Sequence, residues 1–367
     1  MKVNQKLYAL FFSLNPQNRL LALELAKGAD LYDSFINELY QEFSKVPLFE
    51  NTMKTFVETW ALSNGDEDLD EVAIRGEQIK WVAEMYFDEN LILSPHYPIE
   101  TEHLRAFPDI LLHFNFLTRL DLIGNNITHL PQDMSGLSGL KMLTLQDCPQ
   151  LAEAPYQWQG LRHLSNLETL VLEDIDLIEI PDYFKSFTRL RELAIDNTFL
   201  DTLPNWIHEL SCLESVEIGT TGWRETMYPP YFEFPENFSL LPRLRELIVS
   251  PHYEVWKFPH IGRLTQLRKL VLSGVACRCW DGITQLKQLE YLDLSHFSLD
   301  YPLTYQGQSY KDPPDRISRL QLYGWEWLQE MTWLKEFHFV HIEPYAFTEL
   351  EKEALAEALP QCKFTYQ

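Results

Sequence analysis

A nine-residue apolar frame recurs along this chain and constrains its fold more than any other feature. The frame is Leu-x-x-Leu-x-x-Leu-x-Leu with conservative replacements, and nine segments match it between residues 112 and 342. Their last three residues are 120–122, 143–145, 170–172, 193–195, 216–218, 247–249, 270–272, 292–294 and 337–339. Successive segments are offset by 23, 27, 23, 23, 31, 23, 22 and 45 residues. A period of this length indicates a repeat architecture in which each unit stacks on its neighbours.

Each Leu-x-Leu ending predicts a short strand whose alternate side chains point inward. One strand cannot bury its leucines alone, whereas stacked rungs share a continuous core. Proline recurs about nine residues after most strands, at Pro131, Pro155, Pro181, Pro204, Pro235 and Pro259. Because proline fixes φ and lacks an N–H donor, these positions predict an extended convex segment that does not pair as a strand.

The repeats resemble the leucine-rich-repeat family, in its bacterial and intracellular type of roughly 23 residues. The resemblance covers residues 112–342 and implies an α/β fold, a right-handed solenoid with a parallel sheet lining the concave face. Members of the family carry an asparagine shortly after each strand. That column begins here with Asn125, Cys148, Ile175, Thr198 and Thr221, and it contains no further asparagine. Cysteine and threonine can hydrogen-bond locally in place of asparagine, but isoleucine cannot.

Both ends of the chain lack the repeat. Residues 1–90 predict a helical domain, with one helix opened by Asn15-Pro16 and stopped by Gly28, and others near 31–45, 52–62 and 69–88. The apolar stretch 7–14 is interpreted as a helix of the mature protein, since it lacks a small-residue cleavage site.

The repeat array is predicted over residues 91–345, with Leu91-Ile-Leu93 as the strand of an irregular first rung. Thr348 and Glu351 form a capping-box pattern that opens a C-terminal helix. Residues 346–367 resemble the cap of bacterial leucine-rich-repeat proteins, a helix followed by a final strand.

Two insertions rich in aromatic residues interrupt the repeats, at residues 219–240 and 298–330. Aromatic side chains in loops are favourable anchors for a partner protein. Alternatively, they fold back and pad the flank of the solenoid, which is the interpretation we favour for most of them.

Acidic residues outnumber basic ones, 54 to 30, and the formal net charge is −24. This charge repels nucleic acid and anionic lipid headgroups, and it favours basic partners or simply solubility. No apolar run is long enough to predict a membrane span. The five irregularly spaced cysteines indicate neither a disulfide framework nor a metal site. Phosphate-binding, nucleophile-elbow and zinc-protease motifs are missing, so we expect no catalytic residue, metal or cofactor.

The outward-facing columns beside the leucines hold ten acids and two bases, with the acids concentrated on the second to fifth rungs. Carboxylates on this face would attract a basic surface, and apolar side chains among them would form the dry centre of a contact. The candidate binding residues are Asp147, Val171, Glu173, Asp174, Glu192, Asp196, Glu217, Ile248, Val271 and Asp293.

Three functions fit this face. We favour a cytoplasmic scaffold without catalytic activity that binds a basic protein or peptide. A secreted bacterial effector or host-contact protein would use the same binding chemistry, and only its location would distinguish it. The third is a cation-binding or catalytic site on Asp147, Glu173, Asp174 and Asp196, whose ligands would come from separate rungs without a known loop pattern. The partner's identity and the oligomeric state stay open.

Overall fold

The computed structural model divides the chain into two compact units, Met1–Thr169 and Leu170–Gln367, which we name the N-terminal and C-terminal units. It describes residues 3–13, 15–44, 75, 78–79, 90–93, 106–152, 155–219, 231–249, 254–255, 260–272, 276–277, 282–295, 303–305, 308–310, 325–340 and 347–366. The predicted helix at 52–62 lies outside the described residues. Of the predicted helix at 69–88, residues 75, 78 and 79 are described, and they are helical.

Three helices open the N-terminal unit: α1 (Val3–Phe11), α2 (Pro16–Gly28) and α3 (Tyr32–Phe43). The cap of α2 is the predicted one, because the Asn15 side chain accepts a hydrogen bond of 2.9 Å from the Gln17 N–H. Leu7 and Phe11 of α1 are buried, as are Phe35 and Leu39 of α3. The apolar faces of these helices therefore form a core, and the prediction of a helical N-terminal region is confirmed.

Three parallel strands follow in the N-terminal unit: β1 (Asn90–Leu93), β2 (Arg119–Ile123) and β3 (Met142–Gln146). Their register aligns leucine with leucine, as in Leu91 opposite Leu120 and Leu120 opposite Leu143. The irregular first rung predicted at Leu91-Ile-Leu93 is thus confirmed. The strand β4 (Thr169–Glu173) begins at the last residue of this unit.

The parallel sheet of the C-terminal unit follows chain order. From β4 it continues through β5 (Glu192–Asp196), β6 (Ser215–Ile218), β8 (Glu246–Val249), β10 (Lys269–Leu272), β12 (Tyr291–Asp293), β15 (Glu336–Phe339) and β16 (Lys363–Tyr366). Three short strands pair separately, β7 (Tyr231–Phe232), β9 (Glu254–Val255) and β11 (Ala276–Cys277), and β13 (Leu303–Tyr305) forms a hairpin with β14 (Gln308–Tyr310). Each of the nine predicted Leu-x-Leu segments coincides with a strand, except that Leu294 lies one residue beyond the end of β12.

The opposite side of the repeats consists of short 3-10 helices, where the sequence predicted extended chain. Pro181, Pro204 and Pro235 are themselves extended, with ψ of 144°, 148° and 151°. Each immediately precedes a 3-10 turn: Asp182–Ser186, Asn205–Glu209 and Glu236–Leu240. Proline suits this position, because the residue before the first turn needs no N–H donor. The prediction was right for these three prolines and wrong for the residues after them. It was also wrong for Pro155, which begins a 3-10 helix, and Pro259 lies outside the described residues.

Aromatic residues near the insertions pack inside the C-terminal unit. Phe234 lies between Phe232 and Phe238, with ring centroids 5.1 Å and 4.7 Å away. Trp325 is fully buried, and its ring meets that of Phe339 edge-on at 5.3 Å. These side chains pad the core, as we favoured. Others, including Trp223, Tyr228 and Tyr301, lie outside the described residues.

Four members of the column that replaces the family's asparagines are described, and these four are buried. Thr221 lies outside the described residues. The Asn125 amide donates to the Ile123 carbonyl at 2.9 Å, and the Cys148 thiol donates to the Gln146 carbonyl at 3.3 Å. The Thr198 hydroxyl accepts from the Leu200 N–H at 3.4 Å, whereas Ile175 only fills space. Burial raises the pKa of Cys148 to about 11, so its thiol stays protonated at neutral pH. The predicted local hydrogen bonds of cysteine and threonine are confirmed at these two positions.

A helix and a strand close the sheet, as predicted. In α4 (Glu349–Ala358), the Thr348 hydroxyl accepts from the Glu351 N–H, and the Glu351 carboxylate accepts from the Thr348 N–H. The strand β16 then pairs with β15, with Phe364 opposite Phe337. Separately, none of the described helices combines the length and the apolar composition that crossing a membrane requires.

Candidate binding face

Outward side chains of the C-terminal unit align in rows, because its strands pair in parallel without a shift in register. One row runs across five strands through Ala194, Glu217, Ile248, Val271 and Asp293. The inward residues between them, such as Val216 and Leu247, are fully buried. The fixed spacing of about 4.8 Å between strands therefore sets the distances between side chains along the row.

Four carboxylates gather where β4, β5 and β6 end; we call Glu173, Asp174, Asp196 and Glu217 the acidic cluster. Partial burial raises the pKa of Glu173, and the charges of Asp174, Asp196 and Glu217 raise it further. No described lysine or arginine forms an ion pair with any of the four. The cluster therefore contains mutual repulsion that no cation in the described part of the chain relieves.

Two members of the acidic cluster also shape the backbone. Asp174 has a φ of 51° and Asn197 a φ of 45°, and the Asn197 amide donates to the Asp174 carboxylate. Asp196 accepts the Asn197 N–H at 2.8 Å. Its carboxylate also lies against Gly219, where a Cβ would come within 2.0 Å of Oδ1. Glu173 and Glu217 make no such bond to the described residues, so they are the members most available to a partner.

Left-handed backbone recurs at the position just after the strands, a feature that the sequence signals but that we did not predict. Gly124, Asp147, Asp174 and Asn197 occupy the same place after successive strands, and all four have positive φ. Glycine, aspartate and asparagine are the residues that tolerate this conformation best. The column therefore has a conformational reason in addition to any role in binding.

An apolar strip crosses the same face beside the acidic cluster. The strip consists of Ile248 and Val271, which are half-buried neighbours in register. Val171 is also half-buried, but it lies on β4 and is separated from the strip by β5 and β6. Glu217 stands next to Ile248 on one side, and Asp293 next to Val271 on the other. The strip is thus bordered by a carboxylate at each end.

The structure does not bring all ten predicted residues together. Glu192 starts β5 and aligns with Ser215 and Glu246, in a different row from Glu217. Asp147 is exposed in the N-terminal unit, with a φ of 50°. The site thus consists of the acidic cluster and the apolar strip with Asp293.

Ion pairs occupy a further row that was not predicted from the sequence. It lies just before the strands of the C-terminal unit and contains Arg191, Glu214, Arg245, Arg268, Glu290 and Lys335, which we call the paired row. Glu214 contacts Arg191 at 3.1 Å and Arg245 at 3.4 Å. Glu290 contacts Lys335 at 2.9 Å and Arg268 at 3.8 Å. In this row each glutamate has a basic residue on both sides, and that order of charges was the signal that could have identified it.

Tyr291 and His338 extend the face beyond the predicted residues. Their rings stack at 4.8 Å, and His338 Nε2 lies 3.4 Å from Glu336 Oε2. Burial raises the pKa of Tyr291, and Asp293 and Glu336 add to the effect. The stack places a planar apolar surface beside the end of the apolar strip.

The corresponding face of the N-terminal unit differs from the expected one. Asp121 and Thr144 belong to the outward column, yet they are 1% and 8% exposed. Arg119 pairs with Asp121 at 2.8 Å. No group of three or more histidine, cysteine or acidic side chains among the described residues has an arrangement that could hold a metal ion.

Comparisons with known proteins place these features in context. No family model matches the chain. A rice protein (Oryza sativa subsp. japonica) described as "Plant intracellular Ras-group-related LRR protein 8" is 36% identical over 95 residues. The match covers 26% of this chain and 25% of that protein, so the chain spans about a quarter of this relative's length.

Two similar solved structures are an internalin (inlF) from Listeria monocytogenes and the leucine-rich-repeat domain of the type III effector XopL. The match to the internalin has a TM-score of 0.48 and 14% identity, and it covers 75% of this chain and 79% of the internalin chain. The match to the XopL domain has a TM-score of 0.41 and 20% identity, and it covers 68% of this chain and 87% of the XopL chain. The repeat frame and the parallel strands stacked in chain order show that this chain has the leucine-rich-repeat fold.

Proposed function

We propose that the protein is a non-catalytic scaffold that binds a basic protein or peptide on the sheet face of its C-terminal unit. The acidic cluster carries this proposal. A fold selected only for stability would gain by pairing these carboxylates with cations, as the paired row does. Docking of a cationic surface would relieve the repulsion.

The apolar strip would supply the dry part of the contact. Glu217 and Asp293 lie three strand spacings apart, or about 14 Å. Residues four apart in an extended peptide span about 13–14 Å and point to the same side. A peptide of the form Lys-x-Leu-x-Lys would place its lysines on Glu217 and Asp293 and its leucine over Ile248 and Val271.

The test is fluorescence anisotropy with a labelled Lys-Ser-Leu-Ser-Lys peptide and a matched peptide in which glutamate replaces lysine. We expect only the lysine peptide to bind, and its affinity to fall as salt rises. The double variant Glu173→Lys, Glu217→Lys should bind it at least about tenfold more weakly, which corresponds to about 1.4 kcal/mol. It leaves Asp174 and Asp196, which support the backbone, in place.

The control reverses the same number of charges elsewhere, with Glu353→Lys and Glu357→Lys on exposed positions of α4. It separates a local effect from a change in net charge. This face would be excluded as the interface if both double variants bound the lysine peptide as tightly as the wild type and melted at the same temperature.

A further inference from the structure

A cleft in the N-terminal unit has the features of a second, separate binding site. It encloses about 580 Å³ between α1, α3 and the 3-10 turn Asp109–His113. That volume lies within the range of ligand pockets. The lining residues that carry the inference are Tyr8, Phe12, Glu38, Glu42, Asp109 and His113. Every residue of this cleft belongs to the N-terminal unit, so the inference does not depend on the function proposed above.

Aromatic rings form one wall of the cleft. The His113 imidazole stacks on Phe12 at 5.2 Å and lies 5.1 Å from Tyr8. Phe12 is in turn anchored in the core by its contact with Phe114 at 5.3 Å. Phe12 is only 2% exposed, so the rings that remain accessible in this wall are those of Tyr8, on α1, and of His113, at the end of the 3-10 turn Asp109–His113.

Carboxylates from α3 and from the turn line the rest. Burial raises the pKa of the Tyr8 hydroxyl, and the neighbouring carboxylates Glu38 and Glu42 raise it further. Partial desolvation lowers the pKa of His113, so the imidazole is neutral at pH 7 although Glu42, Glu38 and Asp109 oppose this shift. No lysine or arginine lines the cleft within the described part of the chain.

We propose that this cleft binds a guanidinium group, as presented by an arginine side chain of a partner. A guanidinium is planar, so it can stack on the aromatic wall while its N–H groups reach the carboxylates. A carboxylate can accept two N–H groups of one guanidinium at the same time. Glu38 and Asp109 line the cleft from two different elements, α3 and the 3-10 turn. An ammonium group lacks the flat face and a neutral amide lacks the charge, so both would fit less well.

The experiment titrates the full chain with three small probes: acetyl-arginine-amide, acetyl-lysine-amide and the neutral isostere acetyl-citrulline-amide. The readout is the NMR signal of His113 in protein labelled with 13C-histidine, assigned by comparison with His113→Gln. We expect the arginine probe to bind with a Kd of about a millimolar, as suits one side chain. The citrulline probe should bind at least about tenfold more weakly, and the lysine probe should lie between them.

Variants then identify the carboxylates. Glu38→Gln and Asp109→Asn should each weaken binding of the arginine probe by about threefold, and the double variant should weaken it by about tenfold. Asp33→Asn, on an exposed position of the same helix α3, is the matched control and should bind as the wild type does. The double variant Glu173→Lys, Glu217→Lys should bind the arginine probe as the wild type does. A result against the cleft can therefore be told apart from a result against the proposed binding face.

Three results would overturn the proposal. The first is no His113 shift with the arginine probe at about 50 mM, far above the expected Kd. The second is equal binding of arginine and citrulline probes to the wild type, a comparison that needs no variant to fold. The third is equal binding of the arginine and lysine probes, which would exclude the planar contact.

Discussion

The paired row and the acidic cluster flank the parallel sheet of the C-terminal unit, and they differ in whether their charges are paired. In the paired row, Glu214 sits between Arg191 and Arg245 and contacts both. Three residues further along the chain, Glu217 joins a group of carboxylates that raises the pKa of Glu173. Within the described residues, one sheet thus pairs its charges before the strands and leaves carboxylates without cations where the strands end. The difference indicates that charge pairing was attainable on this scaffold and that the acidic cluster lacks it.

The largest expected effect concerns the core that supports both regions. Leu193 points inward from β5 and is 3% exposed. We expect Leu193→Ala to lower the free energy of unfolding by about 2–5 kcal/mol, because it opens a cavity between rungs. Urea denaturation measures this, with Ile178→Ala, at a 60% exposed position, as a control that should change it by less than about 0.5 kcal/mol. A loss below about 1 kcal/mol at Leu193 would contradict its inward placement.

The second prediction compares one chemical change in the two regions. Glu214→Gln removes two ion pairs and should lower the free energy of unfolding by about 0.2–1 kcal/mol. Glu217→Gln removes repulsion and should raise it by a few tenths of a kcal/mol, on the order expected for like charges on adjacent strands. Denaturation at low salt measures both, and the difference should shrink at high salt. If both variants shift stability in the same direction, the two regions do not differ as we describe.

The smallest effect is a pH dependence at Glu173. Its pKa in the folded protein is raised above the ordinary value of 4.5, because burial and neighbouring acids disfavour the charged form. The stability that its protonated form contributes is present below that value and is lost as pH rises through the folded pKa. Glu173→Gln is always neutral, so it should be more stable than the wild type at pH 7 but not near pH 4. An equal difference at both pH values would show that charge is not the cause.

Residues inside one repeat show how far the sequence alone can predict the fold. Leu170 and Leu172 of β4 are buried, as predicted, because successive side chains of a strand point to opposite faces of the sheet. The 3-10 turns after Pro181 and Pro204 were not predicted, since several backbone conformations satisfy a proline followed by polar and apolar residues. Short segments of this kind are decided by how they pack against the next rung, as where Gly136 approaches the Leu112 carbonyl too closely for any Cβ.

The candidate site was predictable in composition and not in arrangement. The sequence indicated that Glu173, Asp174, Asp196 and Glu217 share a face, because parallel strands in equal register align their columns. It could not show that Asp196 accepts the Asn197 N–H, since that bond depends on where β5 ends and how the chain turns after it.

Exposure shows most clearly the boundary between sequence and tertiary structure. Asp121 and Glu217 occupy the same column of the repeat, and the sequence assigns both to the outward side of a strand. Asp121 is 1% exposed and bonded to Arg119, whereas Glu217 is open to solvent. The repeat determines the direction of a side chain, because direction follows from strand geometry alone. Whether that side chain meets solvent is decided only by what the rest of the fold packs against it, and this determines which carboxylates remain available for binding.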